Sequence, residues 1–227
     1  MWYLWKENCN HLNNNHKMAE DEIIPRAMAW LEAYMDALGP LGTISIGGNR
    51  NPANENWTPP PEVVFKLNAD AGFLQQTETG LGCILRDWWG EFRGATAMKD
   101  KGKCRPIEAK ARAIWMGLRE ANRRVLSPLV VESDCLVLIN KLKKKEGDRT
   151  ELGSWCEEIW RMADANASLY GKHVEWSFSP RKSNTIAHWL AHSVGVWEHQ
   201  VVWVDEPPLS LRVLIEAELG RAPPGPL

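Results

Sequence analysis

The stretch Lys66–Asp70 reads KLNAD, and the stretch Val130–Asp134 reads VVESD. In each, a short apolar run of β-prone character carries an aspartate at or just beyond its end. One such aspartate says little, because Asp commonly ends strands and forms turns. Two of them on neighbouring predicted strands indicate a shared divalent-cation site, since hard cations prefer carboxylate oxygens. Asp70 and Asp134 are therefore candidate metal ligands, and the pattern favours phosphodiester chemistry.

The composition is that of an ordinary globular protein. The chain has 227 residues, of which 44% are hydrophobic and 25% charged, with a formal net charge of −2. This length accommodates one domain plus appendages, and the charge leaves only local basic surface for nucleic acid. Its five cysteines contain no Cys-x-x-Cys pair and are expected to be reduced thiols of an intracellular protein. No signal peptide or membrane-spanning run is apparent, so we expect no membrane partner, and nothing indicates an obligate oligomer.

Composition changes divide the chain into four segments. Residues 1–40 are predicted to be helical, because apolar residues recur there at three- and four-residue spacing. Residues 41–61 are rich in Gly, Asn and Pro and are predicted to be a linker that ends in three consecutive prolines. Residues 62–204 carry alternating strand and helix patterns, and residues 205–227 are predicted to be a C-terminal tail.

The central segment predicts the element order β-β-β-α-β-α-α-β-α. Short connections between the first three strands indicate antiparallel pairing, whereas the intervening helix indicates parallel pairing for the fourth strand. The predicted fold class is therefore α/β with a mixed sheet. The predicted strands are 63–72, 80–87, 92–98, 129–132 and 173–178, and the predicted helices are 106–123, 135–144, 151–163 and 183–196.

Five motifs along the chain carry a resemblance to a known family. In order they are WTPPP at 57–61, KLNAD at 66–70, GL at 117–118, VESD at 131–134 and NTIAHWLA at 184–191. Together they resemble a type 1 RNase H domain, and more narrowly the plant group associated with non-LTR retrotransposon reverse transcriptases. Residues 1–40, which open with WYLWK at 2–6, resemble the end of the region that precedes RNase H in such polyproteins. The resemblance implies an RNase H-like mixed sheet with an N-terminal helical appendage.

The resemblance also implies an activity. In that family, four acidic positions hold two divalent ions, Mg²⁺ or Mn²⁺, and the RNA strand of an RNA–DNA hybrid is cut. Phosphoryl transfer needs metal ions to neutralise developing charge, and clustered carboxylates hold them. Asp70 matches the first position and Asp134 the third. The fourth falls on His188, where histidine is familiar in the plant group; it is a candidate proton acceptor or metal-positioning residue, or alternatively a helix-surface or capping histidine.

The second position departs from the family pattern. The family has Ala-Glu-Ala-x-Ala ahead of Gly-Leu, and alignment on Gly117 puts Lys110 in the place of the glutamate. Glu108 is the fallback ligand, but two residues rotate a helix by about 200°, nearly to the opposite face. We therefore expect Lys110 to point toward Asp70 and Asp134. An ammonium group there repels cations, which implies impaired hydrolysis or, alternatively, a catalytically dead nucleic-acid-binding module.

Basic residues supply the candidate contacts to nucleic acid. Arg181 and Lys182 precede the last predicted helix beside the expected site, and we expect them, together with Asn184, to bind nucleic acid. A lysine run at 141–145 ends another predicted helix, where the helix macrodipole favours cations in any case.

Histidine and cysteine pairs raise the question of zinc. His188 and His192 lie four residues apart and could reach one ion, but no third ligand is marked, so a shared helix face is the preferred interpretation. Cys9, His11 and His16 form an incomplete set for a four-ligand site.

Overall fold

The structure is a computed structural model and describes residues 56–75, 78–101, 104–170, 174–194 and 200–220. The predicted helical segment 1–40 and the candidate zinc set at 9–16 lie outside the described residues.

Within the described residues, six strands form one mixed sheet in the order β5-β4-β1-β2-β3-β6. Strands β1, β2, β3 and β6 are paired antiparallel, and β4 runs parallel to both β1 and β5. The predicted α/β class with a mixed sheet is confirmed. The strand bounds are Phe65–Gln75 for β1, Glu78–Arg86 for β2, Phe92–Lys101 for β3, Leu129–Ser133 for β4, Glu175–Phe178 for β5 and Gln200–Trp203 for β6.

Helices cover both faces of this sheet. Pro106 opens the first helix, where its fixed φ suits the first turn and its missing N–H is not needed. A 3₁₀ turn at Arg181–Ser183 precedes the fourth helix. In the described part of the chain the helices are α1 (Pro106–Arg123), α2 (Leu136–Lys144), α3 (Glu151–Tyr170), α4 (Thr185–Ser193) and α5 (Leu209–Glu218). Among them, none combines the length and apolarity needed to cross a lipid bilayer.

The sheet has a hydrophobic core on each face. Leu67 and Ala69 of β1 belong to the core that contains residues of α1, α2 and α3. Since side chains alternate along a strand, Asn68 and Asp70 are directed to the other face. That face has a smaller core, formed with residues of α4 and α5.

Glycines in β2 let α4 approach the sheet closely. A Cβ atom on Gly82 would lie 2.4 Å from the backbone nitrogen of Ala191, and one on Gly80 would lie 1.8 Å from the Ala191 carbonyl oxygen. Any side chain at these positions would push α4 outward. The close approach places the helix that carries His188 directly over β1 and β2.

Several boundaries differ from the prediction. Strand β1 continues to Gln75 because it stays paired with β2, so Asp70 lies inside the strand rather than at its end. Helix α3 is longer than predicted and reaches Tyr170. Residues 209–218, assigned to a C-terminal tail, form α5, which contributes three buried side chains to the second core: Leu211, Leu214 and Ile215.

A buried polar network joins the segment before β1 to α5. The Trp57 indole N–H donates to Asn68 Oδ1 at 2.9 Å, and the Arg86 guanidinium lies 3.5 Å from the centroid of the Trp57 ring. Arg86, which is 1% exposed, pairs with Glu218 at 2.7 Å. The last residues of the predicted linker and the end of α5 are thus tied to the centre of the sheet.

Candidate functional site

Two neighbouring strands bring the two candidate aspartates together. Asn68 of β1 is paired with Glu132 of β4, and Asp70 and Asp134 each follow two residues later. One atom, Lys110 Nζ, contacts both carboxylates: it lies 2.9 Å from Asp70 Oδ1 and within hydrogen-bond distance of Asp134 Oδ1. Because both oxygens contact the same nitrogen, they are less than about 6 Å apart. The expected convergence of Asp70 and Asp134 is therefore observed.

Lys110 lies in the second turn of α1 and points into the cleft between these carboxylates. Its side chain is 18% exposed. Burial alone would lower the pKa of Lys110, but the hydrogen bond to Asp134 and the charge of Asp70 outweigh it and raise the pKa above its ordinary value. The ammonium group is therefore charged at neutral pH and bridges two strands of the sheet.

Asp70 is buried and receives two charged or polar partners. Burial would raise the pKa of Asp70, but hydrogen bonds from His188 and Lys110 and the charge of Lys110 bring it below its ordinary value. His188 Nδ1 lies 2.8 Å from Asp70 Oδ2. The carboxylate is therefore ionised, and its two oxygens are directed to different partners.

Glu108 is turned away from this cleft. Its Oε2 accepts the backbone N–H of Arg105 at 2.8 Å, and its Oε1 accepts the Arg105 guanidinium at 2.6 Å. The hydrogen bond from the Arg105 side chain is the main cause that lowers the pKa of Glu108. Glu108 points away from the cleft, as expected from its position on nearly the opposite face to Lys110, and it caps the start of α1.

His188 faces the site, and its second nitrogen contacts Arg181. Arg181 Nη2 lies 3.0 Å from His188 Nε2. Because a guanidinium only donates, Nε2 must accept, and the ring proton therefore resides on Nδ1 and is donated to Asp70. Sequence reasoning did not predict this contact, because a 3₁₀ turn and a helix start separate the two residues and give no periodic signal.

His192 contacts His188 without completing a set of metal ligands. Their ring centroids lie 4.0 Å apart, and His192 Nδ1 donates to the His188 carbonyl oxygen at 2.9 Å. Over the residues that the structure describes, no group of three or more His, Cys, Asp or Glu side chains is arranged to hold a metal ion.

Asn184 is buried, unlike the other two expected nucleic-acid contacts, Arg181 and Lys182. It is 2% exposed, and its amide donates to the Ala69 carbonyl oxygen at 3.1 Å. The expectation that Asn184 touches nucleic acid is not supported, because its side chain is buried; it fixes the loop before α4 against β1. Arg181 and Lys182, on the same loop, are exposed.

Two lysines of the run at the end of α2 have acidic partners. Lys141 pairs with Asp148 at 2.5 Å, and Lys145 pairs with Asp164 at 3.0 Å. Ion pairs with nearby acids reduce the positive potential that a phosphate would meet. These pairs reduce the positive charge that Lys141 and Lys145 offer to a phosphate.

The residues present do not fit a two-metal site of the kind that the resemblance implies. The ammonium of Lys110 contacts both carboxylates, which is where a bridging cation would bind. Glu108 is engaged by Arg105, and His188 Nε2 by Arg181. A cation would have to displace Lys110 and would then find, among the residues that the structure describes, two carboxylates.

The sheet order, with helices on both faces, defines an RNase H-like α/β protein. Residues 68–194, more than half of the chain, match the model of the reverse transcriptase-like family. The chain belongs to that family.

Solved structures share the fold at low sequence identity. The N-terminal RNase H domain of a Mycobacterium tuberculosis protein, solved as a fusion with maltose-binding protein, has a TM-score of 0.50 and 18% identity, over 58% of this chain and 93% of that one. LC11-RNase H1, from a compost metagenome and solved in complex with an RNA/DNA hybrid, has a TM-score of 0.50 and 13% identity, over 57% and 94%. A search of curated proteins found no significant match to this chain.

Proposed function

We propose that this chain binds nucleic acid through its RNase H-like fold and that Lys110 suppresses hydrolysis of the RNA strand of RNA–DNA hybrids. One observation carries the proposal: a single ammonium group bridges Asp70 and Asp134, the two carboxylates that the family resemblance assigns to metal binding. Lys110 supplies in covalent form the positive charge that a metal ion would bring. It lacks the open coordination positions that activate a water molecule.

The positive charge of Lys110, which stands in the place of the family's glutamate, has a large effect on metal binding. At an effective dielectric constant near 20 and a separation of about 4 Å, two unit charges interact by about 4 kcal/mol. A divalent ion beside the Lys110 ammonium meets roughly twice that repulsion, and expelling the ammonium breaks two ion pairs in a partly buried cleft. Both costs oppose the binding of Mg²⁺ or Mn²⁺.

An RNA–DNA hybrid is the ligand to test first. LC11-RNase H1, which shares the fold, was solved with an RNA/DNA hybrid. On this chain, Arg181 and Lys182 are exposed beside the cleft, where cationic side chains can contact phosphates. Neither contact needs a metal ion, so hybrid binding should survive without one.

A metal-dependent hybrid ribonuclease is the second candidate. Asp70 and Asp134 already lie side by side, and Lys110 is a long side chain that is 18% exposed. If a bound phosphate drew Lys110 out of the cleft, the carboxylates would become available. In that case the unaltered protein cuts hybrids at an appreciable rate.

The two candidates are separated by one pair of measurements. Fluorescence anisotropy of a labelled hybrid in EDTA measures binding without metal, and addition of Mg²⁺ or Mn²⁺ followed by gel electrophoresis measures cleavage. We expect binding in EDTA and little or no cleavage afterward. Rapid cleavage by the unaltered protein would establish the ribonuclease instead, and absence of binding would reject both.

The origin of the chain stays a prediction. The resemblance of residues 1–40 and of the motifs to plant retroelement polyproteins is read from sequence, as is the intracellular location.

A further inference from the structure

We infer that His188 is a positioning residue, which orients the guanidinium of Arg181 so that Arg181 binds one phosphate of the nucleic acid. The family resemblance assigns the position of His188 to metal chemistry, whereas the structure places its two ring nitrogens between a carboxylate and a guanidinium. The inference rests on the proposed function, because the phosphate belongs to a bound strand. It gives His188 a role that needs neither a metal ion nor hydrolysis.

The ring of His188 connects Asp70 to Arg181. Its Nδ1 lies 2.8 Å from Asp70 Oδ2, and Arg181 Nη2 lies 3.0 Å from its Nε2. A carboxylate that accepts one ring N–H fixes the tautomer of a histidine and makes the other ring nitrogen more basic. The buried carboxylate of Asp70 therefore strengthens Nε2 as the acceptor for Arg181.

The His188 ring is held in this orientation by its neighbours. The ring of His192 lies against it with centroids 4.0 Å apart, and His192 Nδ1 donates to the His188 carbonyl oxygen at 2.9 Å. The His192 ring lies over Gly72, where a Cβ atom would come within 2.3 Å of its Cε1. Burial lowers the pKa of His192, so this second ring is neutral at neutral pH and adds no positive charge beside Arg181.

The backbone of Arg181 is fixed against β1. Asn184 N–H donates to the Arg181 carbonyl oxygen at 3.1 Å and closes the 3₁₀ turn. The Asn184 side chain donates to the carbonyl oxygen of Ala69, the residue before Asp70, at 3.1 Å. The His188 N–H donates to the Asn184 carbonyl oxygen at 3.0 Å. Because the turn and the start of α4 are ordered in advance, a ligand loses little affinity to the cost of ordering them.

The contact with His188 leaves the charge and most donors of Arg181 available. A guanidinium has five N–H donors, and one of them is directed to His188 Nε2. The others can donate to a phosphate through two parallel hydrogen bonds, and Arg181 is exposed. The acceptor is an imidazole nitrogen, so the guanidinium is held without the cancellation of charge that a carboxylate partner brings. The charge of Asp70 is itself met by Lys110.

Two substitutions at position 188 separate the roles of the two ring nitrogens. The amide nitrogen of His188→Asn can replace Nδ1 as a donor to Asp70, but this variant leaves Arg181 without its acceptor. The longer side chain of His188→Gln can bring its amide oxygen to the place of Nε2. In EDTA, we expect His188→Asn to weaken hybrid binding about three- to tenfold, as the loss of one hydrogen bond would. We expect His188→Gln to keep most of the affinity, and equal losses in the two variants would contradict the inference.

A double-mutant cycle tests whether His188 acts through Arg181. In an Arg181→Ala background, His188→Asn should cause no further loss of affinity. Arg161, an exposed arginine of α3 that pairs with Glu158, supplies the control background. With Arg161→Ala, His188→Asn should weaken binding as much as it does in the unaltered protein. Additive losses from His188→Asn and Arg181→Ala, in variants that thermal melting shows to be folded, overturn the inference.

Hybrids with a single uncharged methylphosphonate linkage identify the bound phosphate. The linkage is moved along each strand, and binding is measured by fluorescence anisotropy. One position should weaken binding by the unaltered protein but not by Arg181→Ala, and its effect should be smaller in His188→Asn. A response to every position that is the same in all three proteins would exclude a specific contact between Arg181 and one phosphate.

Nitrogen-15 NMR of the imidazole rings distinguishes failure of this inference from failure of the proposed function. Above the titration range of an ordinary imidazole, the His188 ring of the protein alone should carry its proton on Nδ1. A proton on Nε2 overturns the inference even if the hybrid binds. If the hybrid does not bind, but inorganic phosphate shifts the His188 signals in the unaltered protein and not in Arg181→Ala, the proposed function fails and the phosphate site stands. If neither hybrid nor phosphate has an effect, both fail.

Discussion

At position 110, the charge of the side chain decides what two neighbouring carboxylates can hold. Lys110→Glu removes the repulsion and adds a third carboxylate to Asp70 and Asp134. We expect this variant to bind Mg²⁺ or Mn²⁺ and to cut a labelled RNA–DNA hybrid at least roughly a hundredfold faster than the unaltered protein, since about 1.4 kcal/mol corresponds to tenfold. Initial cleavage rates and calorimetric metal binding measure the two effects.

Two control variants distinguish the effect of charge repulsion on the metal ion from the effect of the missing carboxylate ligand. Lys110→Met removes the positive charge without adding an oxygen, so its cleavage rate should rise above that of the unaltered protein but stay below that of Lys110→Glu. Glu108→Ala should leave cleavage unchanged, because Glu108 is engaged by Arg105. A rapid unaltered enzyme that Glu108→Ala inactivates would identify Glu108 as the ligand.

The ion pairs of Lys110 also predict a dependence of stability on pH. The pKa of Asp70 is lowered, so its contribution to the free energy of unfolding is present above about pH 4. This contribution is lost as the pH falls through the shifted pKa. The pKa of Lys110 is raised, so its contribution is present below about pH 10 and is lost as the pH rises through the shifted value. The difference in unfolding free energy between the unaltered protein and Lys110→Met, measured with urea, should be largest between these limits and shrink at both extremes. A difference that is constant with pH would contradict this.

For single residues, the sequence predicted that Lys110 points toward Asp70 and Asp134, but it did not predict that Arg181 contacts His188. Helical rotation alone separates Lys110 from Glu108, and parallel strand ends bring Asp70 and Asp134 together. The contact of Arg181 with His188 depends on how a 3₁₀ turn joins α4, which no residue spacing encodes.

Among the elements, α5 contacts the sheet through a buried ion pair in addition to its apolar side chains. Glu218 at its end pairs with Arg86, whose side chain is 1% exposed. Glu218→Ala leaves that guanidinium buried without its carboxylate, and we expect a loss of about 3 kcal/mol in unfolding free energy. Urea denaturation followed by tryptophan fluorescence measures it.

A matched control lies on the same segment. Glu206 pairs with Arg212 at 3.8 Å, but its side chain is 85% exposed, so Glu206→Ala should cost less than about 1 kcal/mol. Replacing both Arg86 and Glu218 with Met should recover much of the loss, because no unpaired charge remains. Equal effects of Glu218→Ala and Glu206→Ala would show that the buried pair adds no stability.

The sequence did not predict the features that depend on contacts between residues far apart in the chain. Strand β6 has four residues and a half-exposed pattern, so alternation gives a weak signal, yet it pairs with β3. Arg86 and Glu218 are 132 residues apart, and neither is marked by its neighbours in sequence. The helix predicted to start at Pro106 and to run to about Arg123, by contrast, has those bounds in the structure.

For the whole molecule, a net charge of −2 means that nucleic acid must be bound by local cations. Hybrid affinity should fall as salt rises, because each neutralised phosphate releases counterions. Replacing Arg181 and Lys182 together with Ala should reduce the slope of log affinity against log salt by about 2. Anisotropy titrations over a salt series measure this slope.

The control variant also replaces two cationic side chains. Lys141 and Lys145 are paired with Asp148 and Asp164, so replacing both with Ala should leave the slope nearly unchanged. An affinity that is flat between low and physiological salt would exclude phosphate-based binding by this chain.

The bridge that Lys110 makes between Asp70 and Asp134 has a genetic consequence. Lysine and glutamate codons differ only in their first base, so a single point mutation interconverts the ammonium and carboxylate forms of the site. A gene that carries this chain is therefore one transition away from a third carboxylate in the cleft. Mutagenesis with a selection for hybrid degradation should recover that codon change repeatedly among revertants.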